Sequence, residues 1–270
     1  MNTFDEDKRL AWAGREVAYE ETFARLCAHP IGLLLDAARV GPGVRVLDVG
    51  TGAGAVAVLA LTRHATVTAI DPDPGMCQLA KRAAPAANVS KASLPHLPFA
   101  DGSFDAVVAN FVLNHVGDPR ASAAELVRVA QQGGSVSVSI WPRPLTPLHQ
   151  LWEDVIDASG VNRLPTAATV PAQFDFERTT EGLGGLLQGA GLTDVEATTV
   201  TFTHRVHPQL WWSGPARGVA SMGAIVIRQT QETIEVMKSN YERLSQTYLQ
   251  PDGMLHLPTA ALLASGQVPK

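Results

Sequence analysis

The sequence predicts an α/β fold: a doubly wound, mostly parallel sheet of seven strands with helices on both faces and a helical lid. Three observations carry this. Strands alternate with helices of about ten residues, a spacing that implies right-handed crossovers between parallel strands. The strands are unbroken apolar runs, as strands covered on both faces require. And the first strand, Val44 to Val49, runs straight into a turn with glycine at alternate positions, Gly50, Gly52 and Gly54, before the helix formers from Ala55 to Leu61.

Taken in order, Trp12, Tyr19, Phe23 and Leu26 recur at helical spacing and predict an amphipathic helix over about residues 8–28. Ile31 to Arg39 predicts a second helix, closed by Gly41-Pro42-Gly43. The strand at Val44–Val49 leads to a helix over Ala55–Arg63. The β-branched run Thr66–Ile70 ends at Asp71. A helix over Gly75–Ala84 precedes a short strand near Asn88–Ala92, then the strand Phe104–Asn110 and a helix over Ala121–Ala130. Gly133-Gly134 turns the chain into Ser135–Trp141. Beyond Pro142, Pro144 and Pro147 the pattern loosens. Leu148, Leu151, Trp152, Val155 and Ile156 mark a helix, Thr180–Gly191 another, and Val195–Phe202 a strand. Ile234, Met237, Tyr241, Leu244 and Tyr248 give a further helix, and Leu255–Ser265 the last strand. The expected organisation is a single domain in three parts. Helices over 1–40 cap the site, and an α/β core spans 41–141. The rest of the sheet, over 142–270, carries an inserted lid at about 142–175 and 208–248.

Composition excludes several classes of partner. The 270 residues carry 21 Lys and Arg against 26 Asp and Glu, a net charge of −5, with no basic block. A nucleic-acid partner would need a basic stripe to neutralise phosphates, so none is expected. Cys27 and Cys77 have no CxxC spacing, and the eight histidines show no metal-ligand pattern, so neither a disulfide nor a metal is expected. The stretch Met1–Arg9 is polar, and no window approaches the ~20 apolar residues of a membrane span. The expectation is a soluble cytoplasmic protein acting on a small molecule. The pattern specifies no oligomeric state.

The glycine turn is the chemical centre. Glycine lets backbone approach a ligand where a Cβ would clash, and the following helix offers unpaired N–H groups and a positive dipole end. In open α/β sheets ligands lie beyond the carboxyl ends of the strands, and Gly50, Asp71 and Asn110 all fall at such ends. A dinucleotide turn would read Gly-x-Gly-x-x-Gly, and Ala55 at the third position is a tolerated variant. Against it, Asp48 would repel a pyrophosphate, the glycines alternate too tightly, and no second nucleotide-binding half follows residue 141.

In order and spacing, three blocks resemble the class I S-adenosylmethionine-dependent methyltransferases, in particular the ubiquinone and small-molecule (type 11-like) group. They are Leu47-Asp48-Val49-Gly50-Thr51-Gly52-Ala53-Gly54, Val67–Asp71 with Pro72-Asp73-Pro74-Gly75-Met76, and Leu94–Asp105. The resemblance covers roughly residues 10–141 and the last strand. It implies a Rossmann-like methyltransferase fold, methyl transfer to a small molecule, and S-adenosyl-L-methionine as cofactor. On the implied site, Gly50, Thr51, Gly52 and Gly54 cradle the methionine and ribose, and Asp48 orients that turn and favours the cationic head group. Asp71 and Pro72 lie at the ribose, and Met76 lies against adenine or ribose. Ala92, Ser93 and Leu94 form the adenine edge, while Asn110 and Phe111 face the methionine moiety and the methyl group. One position departs from the pattern: Lys91 stands where relatives carry an acid that accepts from the adenine amino group. A lysine cannot accept that bond, so Ser93 or a backbone carbonyl substitutes, or adenine is held less tightly.

The remaining candidates have structural readings beside the functional ones. Asp71 is either a ribose acceptor or a helix N-cap. His115 follows the fourth strand and suits a general base, or bonds a neighbouring loop. Tyr19 either closes over the cofactor or belongs to a core stripe. His149, Trp152 and Trp211 line a substrate pocket or pack the lid, and Trp211 and Trp212 are not expected to face one core together. Two other functions use the same turn: a nicotinamide-dependent oxidoreductase, and an S-adenosylmethionine-binding protein without methyl transfer, such as a cyclase, lyase or accessory module.

Overall fold

The computed structural model describes Phe4, residues 13–161 and residues 170–270. The seven strands are β1 (Arg45–Val49), β2 (Thr66–Asp71), β3 (Asn88–Lys91), β4 (Phe104–Asn110), β5 (Ala130–Ile140), β6 (Thr193–Val206) and β7 (Leu255–Gln267). They form one sheet in the order β3-β2-β1-β4-β5-β7-β6. β1 through β5 pair in parallel, and β7 runs antiparallel to both β5 and β6. The order reverses between β1 and β4, so their carboxyl ends open the crevice where such sheets bind ligands.

Eleven α-helices are present among the described residues. The first three are α1 (Glu16–Glu21), α2 (Phe23–Ala28) and α3 (Ile31–Ala37). Crossing the sheet are α4 (Ala55–Thr62), α5 (Pro74–Ala83) and α6 (Pro119–Val129). Beyond β5 come α7 (Pro147–Ala158), α8 (Thr180–Gly189), α9 (Pro208–Ala216), α10 (Ala220–Val226) and α11 (Gln231–Ser245). One apolar layer joins α6 and α8 to the sheet through Leu126, Val136, Leu183 and Leu262. The other face packs α3, α4 and α5 through Leu34, Val46, Ala57 and Ala80. A third cluster joins the lid helices to α2 and the β6–β7 hairpin and holds Leu26, Trp152, Trp211, Met237, Tyr241 and Leu257.

Three expectations change. The first helix is broken in two at Thr22, whose hydroxyl bonds back to the Ala18 carbonyl at 2.5 Å and competes with the helix ladder. Trp12 and the start of that helix lie outside the described residues, as does 162–169 of the lid. Gly133-Gly134 is not a turn before β5 but sits inside it, at a register shift against β4. A Cβ on Gly134 would stand 2.8 Å from the Asp105 and Gln131 carbonyls, so glycine permits a bulge here. Finally β6 and β7 are longer than expected. Ile140 of β5 pairs with Leu262, so Leu255–Ala261 and the paired part of β6 overrun the sheet and form the floor of the lid.

Candidate active site

The three glycines of the turn do different work. Gly50, at φ 69°, lies where a Cβ would come within 2.5 Å of Val112, just beyond β4. Gly54, at φ 91°, opens α4, and its Cβ would stand 2.9 Å from the Ala80 Cα of α5. These two close the fold on itself, one at the strand-order reversal and one at a helix crossing. Gly52, at φ 53°, has room for a Cβ, and its open side meets the Tyr19 ring at 3.5 Å.

Two buried carboxylates hold the turn from beneath. Asp48 ends β1, accepts from the Thr51 hydroxyl at 2.7 Å through Oδ2, and leaves Oδ1 without a hydrogen bond. Burial pushes its carboxyl up to about 7, against the bond from Thr51. Asp71 ends β2 and accepts from the Gly52 amide at 3.0 Å and the Asp73 amide at 2.9 Å, one through each oxygen. Burial raises it to about 6, with those two amides opposing. The N-cap of α5 is Asp73, which accepts from the Met76 amide at 2.9 Å. Asp71 is therefore free of capping and binds the glycine turn instead.

The N-terminal helices close the crevice from above. Tyr19 of α1 lies against Gly52, bonds the Cys27 thiol and faces both carboxylates; burial lifts its phenol well above the usual value. Cys27 of α2 is tied down in turn, because its carbonyl accepts from Asn110 Nδ2 at 2.8 Å. The Asn110 Oδ1 accepts from the Ser139 hydroxyl at 2.6 Å. Phe111 follows in the left-handed region, φ 57°, with its amide shared between the Ser139 carbonyl and hydroxyl at 3.0 Å each. Such a strained bulky residue marks a position that its surroundings over-determine. Its ring stacks on Trp141 at 3.9 Å. Between Tyr19, Cys27, Gly50, Thr51 and Asn110 a cavity of about 30 Å³ remains.

Residues 47–138 match the family model for a methyltransferase domain. That span holds the glycine turn, both carboxylates and the β4 end. Over that span the chain is similar to a methyltransferase domain. A demethylmenaquinone methyltransferase from Renibacterium salmoninarum is 38% identical over 112 residues, covering 42% of this chain and 47% of the relative. An uncharacterized protein of Mycobacterium tuberculosis is 37% identical over 140 residues, 49% of each chain. The chain thus spans about half the length of the curated relatives it matches. Among solved structures, a Haemonchus contortus phosphoethanolamine N-methyltransferase 2, in complex with phosphomonomethylethanolamine and S-adenosylhomocysteine, shares the fold. Its TM-score is 0.59 at 16% identity, over 100% of this chain and 61% of the other.

The domain's residues fit S-adenosylmethionine. The bare backbone at Gly52, the unbonded Asp48 Oδ1 and the Asp71 carboxylate converge on one spot, and a sulfonium with an ammonium head group is the cation that two buried acids would favour. Pro72 precedes the α5 cap, and Met76 is buried in the first turn of α5. Ala92 continues from β3 with its amide on the Asp71 carbonyl at 3.3 Å, and Ser93 and Leu94 follow, partly buried. Lys91 stands in register beside Asp71 and is exposed. The Leu94–Asp105 block is shaped largely by Arg128, which donates to the Leu97 and Phe99 carbonyls and pairs with Asp101 and Glu125.

On the lid side, His149 Nδ1 and the Thr146 hydroxyl lie 2.8 Å apart, and the ring sits edge-on to Trp141 at 4.8 Å. Burial lowers its pKa to about 4, so it is neutral. His115 ends a short 3₁₀ turn, Leu113–His115, and is half-buried. Trp211 and Trp212 are both buried, contrary to expectation: Trp211 stacks on Phe23 at 4.6 Å, while Trp212 lies 5.4 Å from Tyr241, with Trp152 near both. The short helix α9 is wedged between α2 and α11 and buries more than one side. Beyond β5 an open groove of about 490 Å³ is lined by Thr146, Pro147, Phe202 and Thr259, among others. Sequence reasoning missed Val112 and Ser139. Each acts through a partner distant in sequence, and no local pattern marks it.

Proposed function

We propose that this chain transfers the methyl group of S-adenosylmethionine to an oxygen, nitrogen or carbon nucleophile of a small organic molecule, in cytoplasmic secondary metabolism. The observation that carries the reading is the Asp71 carboxylate fastened to the amide of Gly52, the glycine whose open side meets the Tyr19 ring. Residues 1–40 act as the cap, 41–141 as the cofactor core and 142–270 as the acceptor side with its lid, within one domain. The family match ends at residue 138, short of the acceptor side.

The sulfonium supplies an already activated methyl group when the cofactor is bound. The protein's task is then positioning and exclusion of water. Gly50, Thr51, Gly52 and Gly54 hold the methionine and ribose portion, Asp48 balances the positive head group, and Asp71 accepts from the ribose hydroxyls, with Pro72 beside it. Met76, Ala92, Ser93 and Leu94 border the purine. Asn110 and Phe111 present the methyl group toward Tyr19, His149, Trp152 and Trp211 on the acceptor side. His115 and the neutral His149 are the imidazoles available to take a proton. No metal enters this scheme.

Calorimetry with S-adenosylhomocysteine, NAD(H) and NADP(H) tests the cofactor. Binding of a nicotinamide cofactor alone would overturn the reading in favour of an oxidoreductase. Incubation of cell extract with methyl-labelled S-adenosylmethionine tests the transfer. Label is expected in a small-molecule product, and its failure to leave the cofactor would instead indicate a cyclase, lyase or accessory role.

A further inference from the structure

We propose that Glu16, on the cap helix α1, is a second acid of the ribose site and accepts one sugar hydroxyl of the cofactor while Asp71 accepts the other. This rests on S-adenosylmethionine as the cofactor and names a residue that selects for its intact ribose.

The argument begins with a glycine that the backbone does not need. Gly75 lies in the first turn of α5, outside the left-handed region, where alanine would make a better helix. A Cβ there would stand 2.8 Å from Cδ and 3.0 Å from Cγ of Glu16. Gly75 therefore admits the Glu16 carboxyl to the start of α5. Tyr19, three residues along on the same face of α1, lies against Gly52 in the same way.

These two contacts fix where α1 runs. The amides that Asp71 holds belong to Gly52 and Asp73. Tyr19 lies against the first of these residues, and Glu16 against Gly75, two residues beyond the second. The helix thus crosses over the Asp71 carboxylate, and a ribose bonded to Asp71 has α1 above it.

The bonding there calls for donors. Glu16 is half-buried at the edge of the cap rather than sealed in a core, yet its Oε2 is buried without a hydrogen-bond partner. It is not needed as a helix cap, because Asp73 already accepts from the Met76 amide. Asp73 Oδ1 lies 3.0 Å from the same Gly75 position, so carboxyls from α1 and from the end of β2 gather around one turn. Such a gathering is relieved by a cation or by hydroxyl donors. Among the described residues, no group of three or more His, Cys, Asp and Glu could hold a metal ion. A ribose supplies two hydroxyl donors side by side. Asp71 already carries an amide on each oxygen, whereas Glu16 Oε2 carries nothing. Lys91, in register beside Asp71, has no acceptor to add. The cap helix is the element that brings one.

The test is calorimetry on the full chain with four ligands: S-adenosylhomocysteine, its 2′-deoxy and 3′-deoxy forms, and S-inosylhomocysteine, which lacks the purine amino group. Binding of S-adenosylhomocysteine by the wild type tests the cofactor on its own, and a wild type that binds none of the four overturns that reading and this proposal with it. With binding established, the wild type should hold each deoxy form roughly tenfold or more weaker. Glu16→Ala should weaken S-adenosylhomocysteine by a similar factor and lose its discrimination against one deoxy form. It should keep its discrimination against the other and against S-inosylhomocysteine. Gly75→Ala, which pushes the Glu16 carboxyl aside, should weaken S-adenosylhomocysteine several-fold in the wild type and have no further effect in Glu16→Ala. The proposal is overturned if Glu16→Ala binds S-adenosylhomocysteine as tightly as the wild type. It is equally overturned if all four ligands weaken by one factor, the result of a carboxylate that only seats α1, or if the discrimination lost is against S-inosylhomocysteine, which would place Glu16 at the purine.

Discussion

Asp48 and Asp71 are buried carboxyls whose burial costs the fold stability once they ionise. Both carboxyls rise on folding, to about 7 and about 6, because burial penalises their ionised forms. A group that binds its proton more tightly when folded stabilises the fold at low pH. Stability of the unliganded protein should therefore fall as pH rises from about 4 to about 7, by at most roughly 1.4 kcal/mol per unit for each group, then level off. Thermal melts across that range check the sign. Cofactor affinity should run the other way, strengthening through pH 6–7 as the carboxylates ionise, which calorimetry at pH 5.5 and 8 would show. Asp71→Ala should weaken S-adenosylhomocysteine roughly tenfold or more through lost charged hydrogen bonds. An unchanged affinity in a folded variant would remove Asp71 from the site. The glycines separate the same way. Gly54→Ala meets the Ala80 backbone at 2.9 Å and should cost about 2 kcal/mol or more in denaturant unfolding, while Gly52→Ala has room at 3.5 Å and should act mainly on cofactor binding.

At the scale of elements, the N-terminal helices decide access. α1 places Tyr19 on Gly52, and α2 is anchored through Cys27 to Asn110 at the end of β4. The 30 Å³ left between them has room for about one water, so binding of a cofactor the length of S-adenosylmethionine there should require α1 to move. α1 is short and has no side-chain N-cap, and isolated helices of this length are marginal. Tyr19→Ala should therefore speed association of S-adenosylhomocysteine several-fold in stopped-flow measurements. A rate equal to wild type would show that α1 is not the barrier.

Across the whole molecule, the lid and the cap form one assembly. Glu21 of α1 pairs with Arg217 after α9 at 2.7 Å, and Phe23 of α2 stacks on Trp211 of α9. Trp211 is fully buried at the centre of the lid cluster. Trp211→Ala should cost about 3–5 kcal/mol through the cavity it leaves. Because α9 touches the cap, the loss should also appear as weaker S-adenosylhomocysteine binding, measurable by calorimetry after correcting for the folded fraction. Two independent effects, with binding unchanged, would separate lid from cap.

The α/β core was legible from local pattern alone. The apolar runs, the crossover helices and the glycine turn are each encoded within about ten residues, and β4 was expected at its observed bounds, Phe104–Asn110. Asp48, Asp71 and the turn were readable because chemistry and backbone geometry coincide in one short segment. What the tertiary structure alone decided is which surface each of those residues meets. At 50 and 54 a Cβ would meet Val112 and Ala80, residues of other elements. Thr22 broke a helix that apolar spacing predicted as continuous, and α9 buried two adjacent tryptophans because helices lie on more than one of its sides. His204 shows the limit most clearly. In the sequence it is one polar residue in a strand, and its idle nitrogens become visible only when α2, α9 and β7 close around it, since a hydrogen bond left unmade is a property of the packed interior.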